Sequence, residues 1–134
     1  MAEIEIYTEH PKIKFDVKPL KKTVLKVLKG EGCTNRGLLL VLTSNEPLRQ
    51  LNKRWRRKNK PTDVLSFGYS EPDFLGEVII SLDKAKIQAA EYGVTLKNEV
   101  CRLAIHGVLH LLGYRHGKKS DRTAMEIQER KYIK

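Results

Sequence analysis

Apolar and polar positions along this chain change period several times, and each change marks an element. Ile4 and Ile6, followed by Tyr7, alternate with Glu3 and Glu5, the two-residue period of a strand with one buried face. Over residues 15–28 the period lengthens. Val17, Leu20, Val24, Leu25, Val27 and Leu28 make the stripe of an amphipathic helix, with Gly30 just past its expected end. Residues 38–42 are an unbroken apolar run of strand length. Ser44 or Asn45 can cap a second helix, with Pro47 in its first turn and Leu48, Leu51 and Trp55 along one side. Pro61 closes that region.

Residues 63–67 and 77–81 read as two more strands, joined by a turn-rich stretch that holds Gly68, Pro72 and Gly76. Ser81 or Asp83 opens a helix over residues 84–92, stopped at Gly93. Thr95 is the expected N-cap of a helix over residues 96–112. A last helix starts at Ser120 or Asp121 and runs through Ala124, Met125, Ile127 and Tyr132. Roughly four strands and five helices, irregularly interleaved, predict an α+β (mixed α/β) fold with a mixed sheet. At 134 residues, with no repeat and no linker, residues 1–134 are expected to form one domain.

Chemistry concentrates at the end of the 96–112 helix. His106, His110 and His116 are three of the four histidines in the chain. The first two are one helical turn apart and point the same way. Gly113 can end the helix in a left-handed turn and let the chain bring His116 back as a third ligand. Three histidines with a fourth position open are the ligand set of a hydrolytic zinc centre. The spacing equals that of the H-E-x-x-H-x-x-G-x-x-H zinc proteases, but Gly107 replaces the glutamate that serves them as general base. The ligand pattern is kept and peptidase chemistry is not expected. A structural zinc would need a fourth protein ligand. Cys101 is about 140° round the helix from His106, so its thiol faces away. Cys33 and His10 are the remaining spare ligands, and the open, catalytic site is the preferred reading.

Composition adds a partner. The formal charge is +10, from 26 Lys and Arg against 16 Asp and Glu, with a pI near 9.7. Such an excess favours polyanions, RNA first, and a membrane surface less because no basic amphipathic helix with an aromatic face is evident. Two cysteines 68 positions apart suggest reduced thiols in the cytosol, not a disulfide framework. The acidic start of the chain is unlike a signal peptide, and no apolar run nears the ~18 residues that span a bilayer. A cytoplasmic protein without a membrane segment is therefore expected.

Residues 53–60 contain six basic side chains in eight, around Trp55. A charge run is commonly a solvated face, and a lone tryptophan commonly anchors its helix. A dense basic segment is also how proteins grip phosphate, and arginine pairs with phosphate oxygens bidentately. Here the chain resembles the YbeY family of bacterial endoribonucleases and rRNA-maturation factors. The family signature H-G-x-L-H-L-x-G-Y-D-H is met over residues 106–116 at every fixed position but one, Arg115 standing where the family has aspartate. A second block, L-N-x-x-(Y/W)-R-x-x-x-x-P-T-(D/N)-V-L-S-F, is met by Leu51, Asn52, Trp55, Arg56 and residues 61–67. A third, weaker block is met by Leu75, Gly76, Glu77 and Val78. The matches extend over about half the chain.

The resemblance implies one zinc ion held by His106, His110 and His116, a functional arginine at Arg56, and a role in processing and quality control of small-subunit rRNA. The expected activity is metal-assisted cleavage of single-stranded RNA, with Arg56 meeting phosphate charge as it develops. Two rivals differ in class. One is an RNA- or ribosome-binding factor with a structural metal, and the other a zinc hydrolase of another substrate. RNA turnover with and without chelator separates the three.

Overall fold

In the computed structural model, residues 3–57, 62–114 and 119–133 are described. The elements are β1 (Ile4–Thr8), α1 (Val17–Gly30), β2 (Gly37–Thr43), α2 (Asn45–Arg56), β3 (Val64–Glu71), β4 (Phe74–Ser81), α3 (Leu82–Tyr92), α4 (Leu96–Leu111) and α5 (Lys119–Tyr132). Four strands form one sheet in the order β1-β2-β4-β3. β1 and β4 each pair with β2 in parallel, and β3 pairs antiparallel to β4. The sheet is mixed and the fold is α+β, as the interleaved pattern predicts.

Alternation along the strands decides which helix lies where. Leu38, Leu40 and Leu42 of β2, with Val78 and Ile80 of β4, join Leu20, Val24, Val27 and Leu28 of α1 and most of α4 in the main core. The opposite sheet face carries a smaller cluster. Leu65, Ile79 and Leu48 are buried there, with Val41, Leu51 and Phe67 against them, so α2 covers that side. β4 is buried on both faces, which is why Val78-Ile79-Ile80 reads as a continuous apolar run. Burying each large aliphatic side chain contributes about 1.5–3 kcal/mol, and the concentration of such residues against α4 makes it the best-anchored helix.

Three expectations need correction. Leu25, counted in the α1 stripe, is 42% exposed. Gly30 is the last residue of α1, not the first beyond it. Gly68 and Gly76 do not belong to a loop: they are paired with each other inside a long β3–β4 hairpin whose turn is Pro72-Asp73. Apolar alternation weakens at glycine, so the sequence understates the length of both strands.

The caps follow their chemistry. The side chains of Asp16, Ser81 and Thr95 accept from the backbone N–H of Lys18, Lys84 and Asn98 and start α1, α3 and α4. At the far end of α4, Gly113 takes φ +106. The Gly113 N–H donates to His110 O at 3.1 Å, and the Tyr114 N–H to Leu109 O at 3.1 Å. This pair of bonds is a Schellman motif, and it ends α4 at Gly113.

Candidate active site

α4 lies unusually close to the sheet, and Gly107 is the reason. A β-carbon there would stand 2.6 Å from Val78 Cγ1 and 3.1 Å from Ser66 Oγ. The Ser66 hydroxyl donates to Gly107 O at 3.3 Å, locking helix to strand. Position 107 therefore faces the sheet at a distance that admits no side chain. A glutamate in the manner of the zinc proteases has no room, and the general base they use is excluded by packing as well as by sequence.

The next position back turns outward. His106 and His110 line a cleft of about 550 Å³ together with Trp55, Arg56, Thr62, Asp63 and the β3 residues Val64, Leu65, Ser66 and Phe67. The two imidazole centroids are 6.3 Å apart and inclined at 43°. His106 Nδ1 is 2.7 Å from Glu129 Oε2 on α5. A carboxylate accepts, so Nδ1 is the donor in this pair. An imidazole whose tautomer is fixed by an outer carboxylate is the donor chemistry that zinc takes, so the residues present fit the metal. Sequence reading missed Glu129: it is 23 positions from its partner on another helix, and nothing local marks it.

His116 and Arg115 lie outside the described residues. Among the described residues, two of the three expected ligands are brought together. The spare ligands go elsewhere. Cys101 is buried, and burial raises its thiol pKa, opposed by a hydrogen bond with the Thr23 side chain. Cys33 reaches toward Glu31 O at 3.6 Å. His10 is bonded to Asp83 at 2.8 Å.

Arg56 ends α2. Arg57 follows as its C-cap in the left-handed region, φ 57 and ψ 30, its N–H donating to Asn52 O. A non-glycine residue adopts that conformation at a cost, and it leaves Arg56 at the cleft wall. Trp55 is not the anchor that its place in the apolar stripe suggests. It is 61% exposed and meets Phe67 edge-on at 6.4 Å, with the Arg54 guanidinium over its ring at 5.4 Å. The cleft thus offers an aromatic platform beside a cation and two imidazoles. The basic residues Lys58 and Lys60 lie outside the described residues.

A second polar group holds the frame. The Tyr114 and Tyr132 hydroxyls both donate to Glu31, at 2.7 and 2.6 Å. Gln128 Nε2 donates to the Tyr114 hydroxyl at 3.0 Å. The bond to Glu31, then burial, raises the Tyr114 pKa; burial first and Glu31 second raise that of Tyr132. Glu31 so joins the end of α1, the turn after α4 and the last turn of α5, the helix that carries Glu129.

The fold is shared with a solved structure, that of TM1509 from Thermotoga maritima. The two match with a TM-score of 0.72 at 30% identity, over 98% of this chain and 87% of that one. This defines the class, a small α+β domain with its cleft between a histidine-bearing helix and an edge strand. The family described as Endoribonuclease YbeY matches residues 3–134. Proteins of that description are 42% identical in Sulfurihydrogenibium sp., over 97% of this chain and 88% of theirs, and 37% identical in Acholeplasma laidlawii, over 92% and 88%. The chain belongs to the Endoribonuclease YbeY family and is accordingly an enzyme of the nuclease class. Among the described residues, no helix is long and apolar enough to cross a membrane.

Proposed function

We propose that this chain is a zinc-dependent, single-strand-specific endoribonuclease that acts in maturation of small-subunit rRNA and in ribosome quality control. What carries the reading is the convergence of His106, His110, Arg56 and exposed Trp55 on one cleft, with Glu129 holding the first histidine by Nδ1. His106, His110 and His116 would hold the ion. When bound, zinc supplies Lewis acidity toward a phosphate oxygen.

This chain's own residues do the rest. Arg56 pairs with the scissile phosphate and meets charge as it develops. Trp55, with Phe67 at its edge, takes the face of an unstacked base, which favours single strands over duplex. Glu129 keeps the proton of His106 on Nδ1. Ser66 and Gly107 keep α4 close to β3 and so set the width of the cleft.

The deciding experiment is cleavage of a defined single-stranded RNA by the purified protein, with zinc measured in the same samples. Cleavage should vanish with chelator and return with zinc. Undiminished cleavage by metal-free protein would overturn the reading.

A further inference from the structure

A second concavity on the described surface is larger than the cleft. A groove of about 840 Å³ runs between α1 and the start of α4, lined by Lys18, Lys22, Lys26, Lys29 and Lys97 with Leu25 and Thr23 between them. Among the described residues, no Asp or Glu side chain lines it. The four α1 lysines fall at intervals of four, four and three, so they form one stripe on one helix face, about 16 Å long at the α-helical rise. All four are exposed. Lys97 adds a fifth charge from the facing helix.

The groove is separate from the candidate active site. Lys97 and His106 are both on α4, nine positions apart, which is roughly half a turn round the helix axis. One side of α4 therefore looks into the cleft and the other into the groove.

The two surfaces also differ in kind. The cleft holds an exposed tryptophan beside a phenylalanine, which suits an unstacked base. Among the described residues that line the groove, the one aromatic is Tyr132, 3% exposed and with its hydroxyl committed to Glu31. A cationic track without a stacking platform suits phosphates whose bases are already stacked, the backbone of a double helix.

We propose that the α1–α4 lysine groove is a docking surface for the phosphate backbone of double-helical RNA, placing a folded element of the substrate on the opposite side of α4 from the strand that is cut. The inference rests on the RNA-cleaving reading for its biological meaning, while its physical content is a binding surface.

Binding and cleavage are therefore measured separately, with Lys22→Gln/Lys26→Gln/Lys29→Gln as the test protein. Lys12→Gln/Lys14→Gln/Lys86→Gln is the charge-matched control, also of exposed lysines. Probes are an RNA hairpin without single-stranded tails, a short unstructured RNA, and vesicles of mixed phosphatidylcholine and phosphatidylserine. The groove variant should bind the hairpin about tenfold more weakly or worse at moderate salt, with the log–log salt slope reduced by about 2 to 3. The control should stay close to the parent, and cleavage of the short RNA should be unchanged in both.

Equal hairpin affinity of parent and groove variant would overturn the proposal. So would equal loss in both triple variants, which would reduce the groove to bulk charge. Loss of vesicle binding with hairpin binding intact would assign the groove to a lipid surface instead. If no protein in the series cuts RNA but the hairpin loss remains, the enzymatic reading falls and the docking surface stands.

Discussion

Two histidine–carboxylate pairs in this molecule have almost the same length and opposite uses. His10 Nε2 is 2.8 Å from Asp83 Oδ1, and His106 Nδ1 is 2.7 Å from Glu129 Oε2. At His10 the other nitrogen, Nδ1, accepts the backbone N–H groups of Lys12 and Ile13, at 3.0 and 2.8 Å. Asp83 also accepts the Asn45 N–H at 2.9 Å, at the start of α2. Every polar atom of that pair is consumed in fastening the β1–α1 loop to α2 and α3. At His106 the carboxylate engages Nδ1, and the ring lines a cleft with a second imidazole and an arginine. A histidine beside a carboxylate is thus no signature of a site. What distinguishes the two is the setting: the second nitrogen of His10 is spent on backbone N–H groups, whereas the His106 ring lines a cleft beside His110 and Arg56.

The sharpest way to break this comparison is to delete each ring. His106→Ala or His110→Ala should lose bound zinc and reduce RNA cleavage by about a thousandfold or more, ~4 kcal/mol in barrier. His10→Ala should keep zinc and activity and lose about 1–3 kcal/mol of stability, through unsatisfied backbone and carboxylate groups. Elemental analysis, single-turnover cleavage and urea unfolding read the three quantities. Full zinc content in either α4 variant would remove the site.

Arg56 is next in size. Arg56→Ala should keep fold and zinc and slow cleavage about a hundredfold, the scale of one transition-state donor. Arg56→Lys should recover little, because a point charge lacks the planar fork. Arg54→Ala, which removes the cation over Trp55, and Arg57→Ala should each cost far less. Equal, modest losses across the three would make Arg56 one phosphate contact among several.

The carboxylates give the third contrast. Glu129→Gln should weaken zinc affinity by about 10- to 100-fold, as loss of an outer-sphere partner does. Asp83→Asn should leave it unchanged. Competition with a chromogenic chelator measures both, and equal affinities in the two variants would mean that Glu129 acts only as a helix tie.

The smallest effect is in pH. Burial opposes ionisation of Asp83, but the hydrogen bonds from His10 and the Asn45 N–H outweigh it, and its pKa is lowered from the ordinary 3.8. A carboxyl depressed in the folded state contributes stability that is present above 3.8 and is lost as pH falls through the folded value. The urea midpoint of the parent should therefore decline below that pH more steeply than that of Asp83→Asn. Parallel curves would show that the pair is energetically idle.

Much of this protein is legible in its sequence because much of it is local. The caps at Asp16, Ser81 and Thr95, the Gly113 reversal and the shared face of His106 and His110 depend on residues within a few positions of one another. Fixed helical and turn geometry then does the rest. What the tertiary structure decided is set by pairs distant along the chain. Trp55 matches the apolar stripe of α2, yet the helix runs past the edge of its small core and leaves the ring at the cleft. Glu129 becomes the partner of His106 because Glu31, 98 positions earlier, gathers Tyr114 and Tyr132 and sets the lie of α5. Gly107 looks like a lost glutamate in the sequence; in the fold it is the point where α4 must touch Val78 and Ser66. Periodicity tells which face of an element is apolar. Only the packed sheet tells what that face meets, and side-chain chemistry at a site is fixed by the meeting.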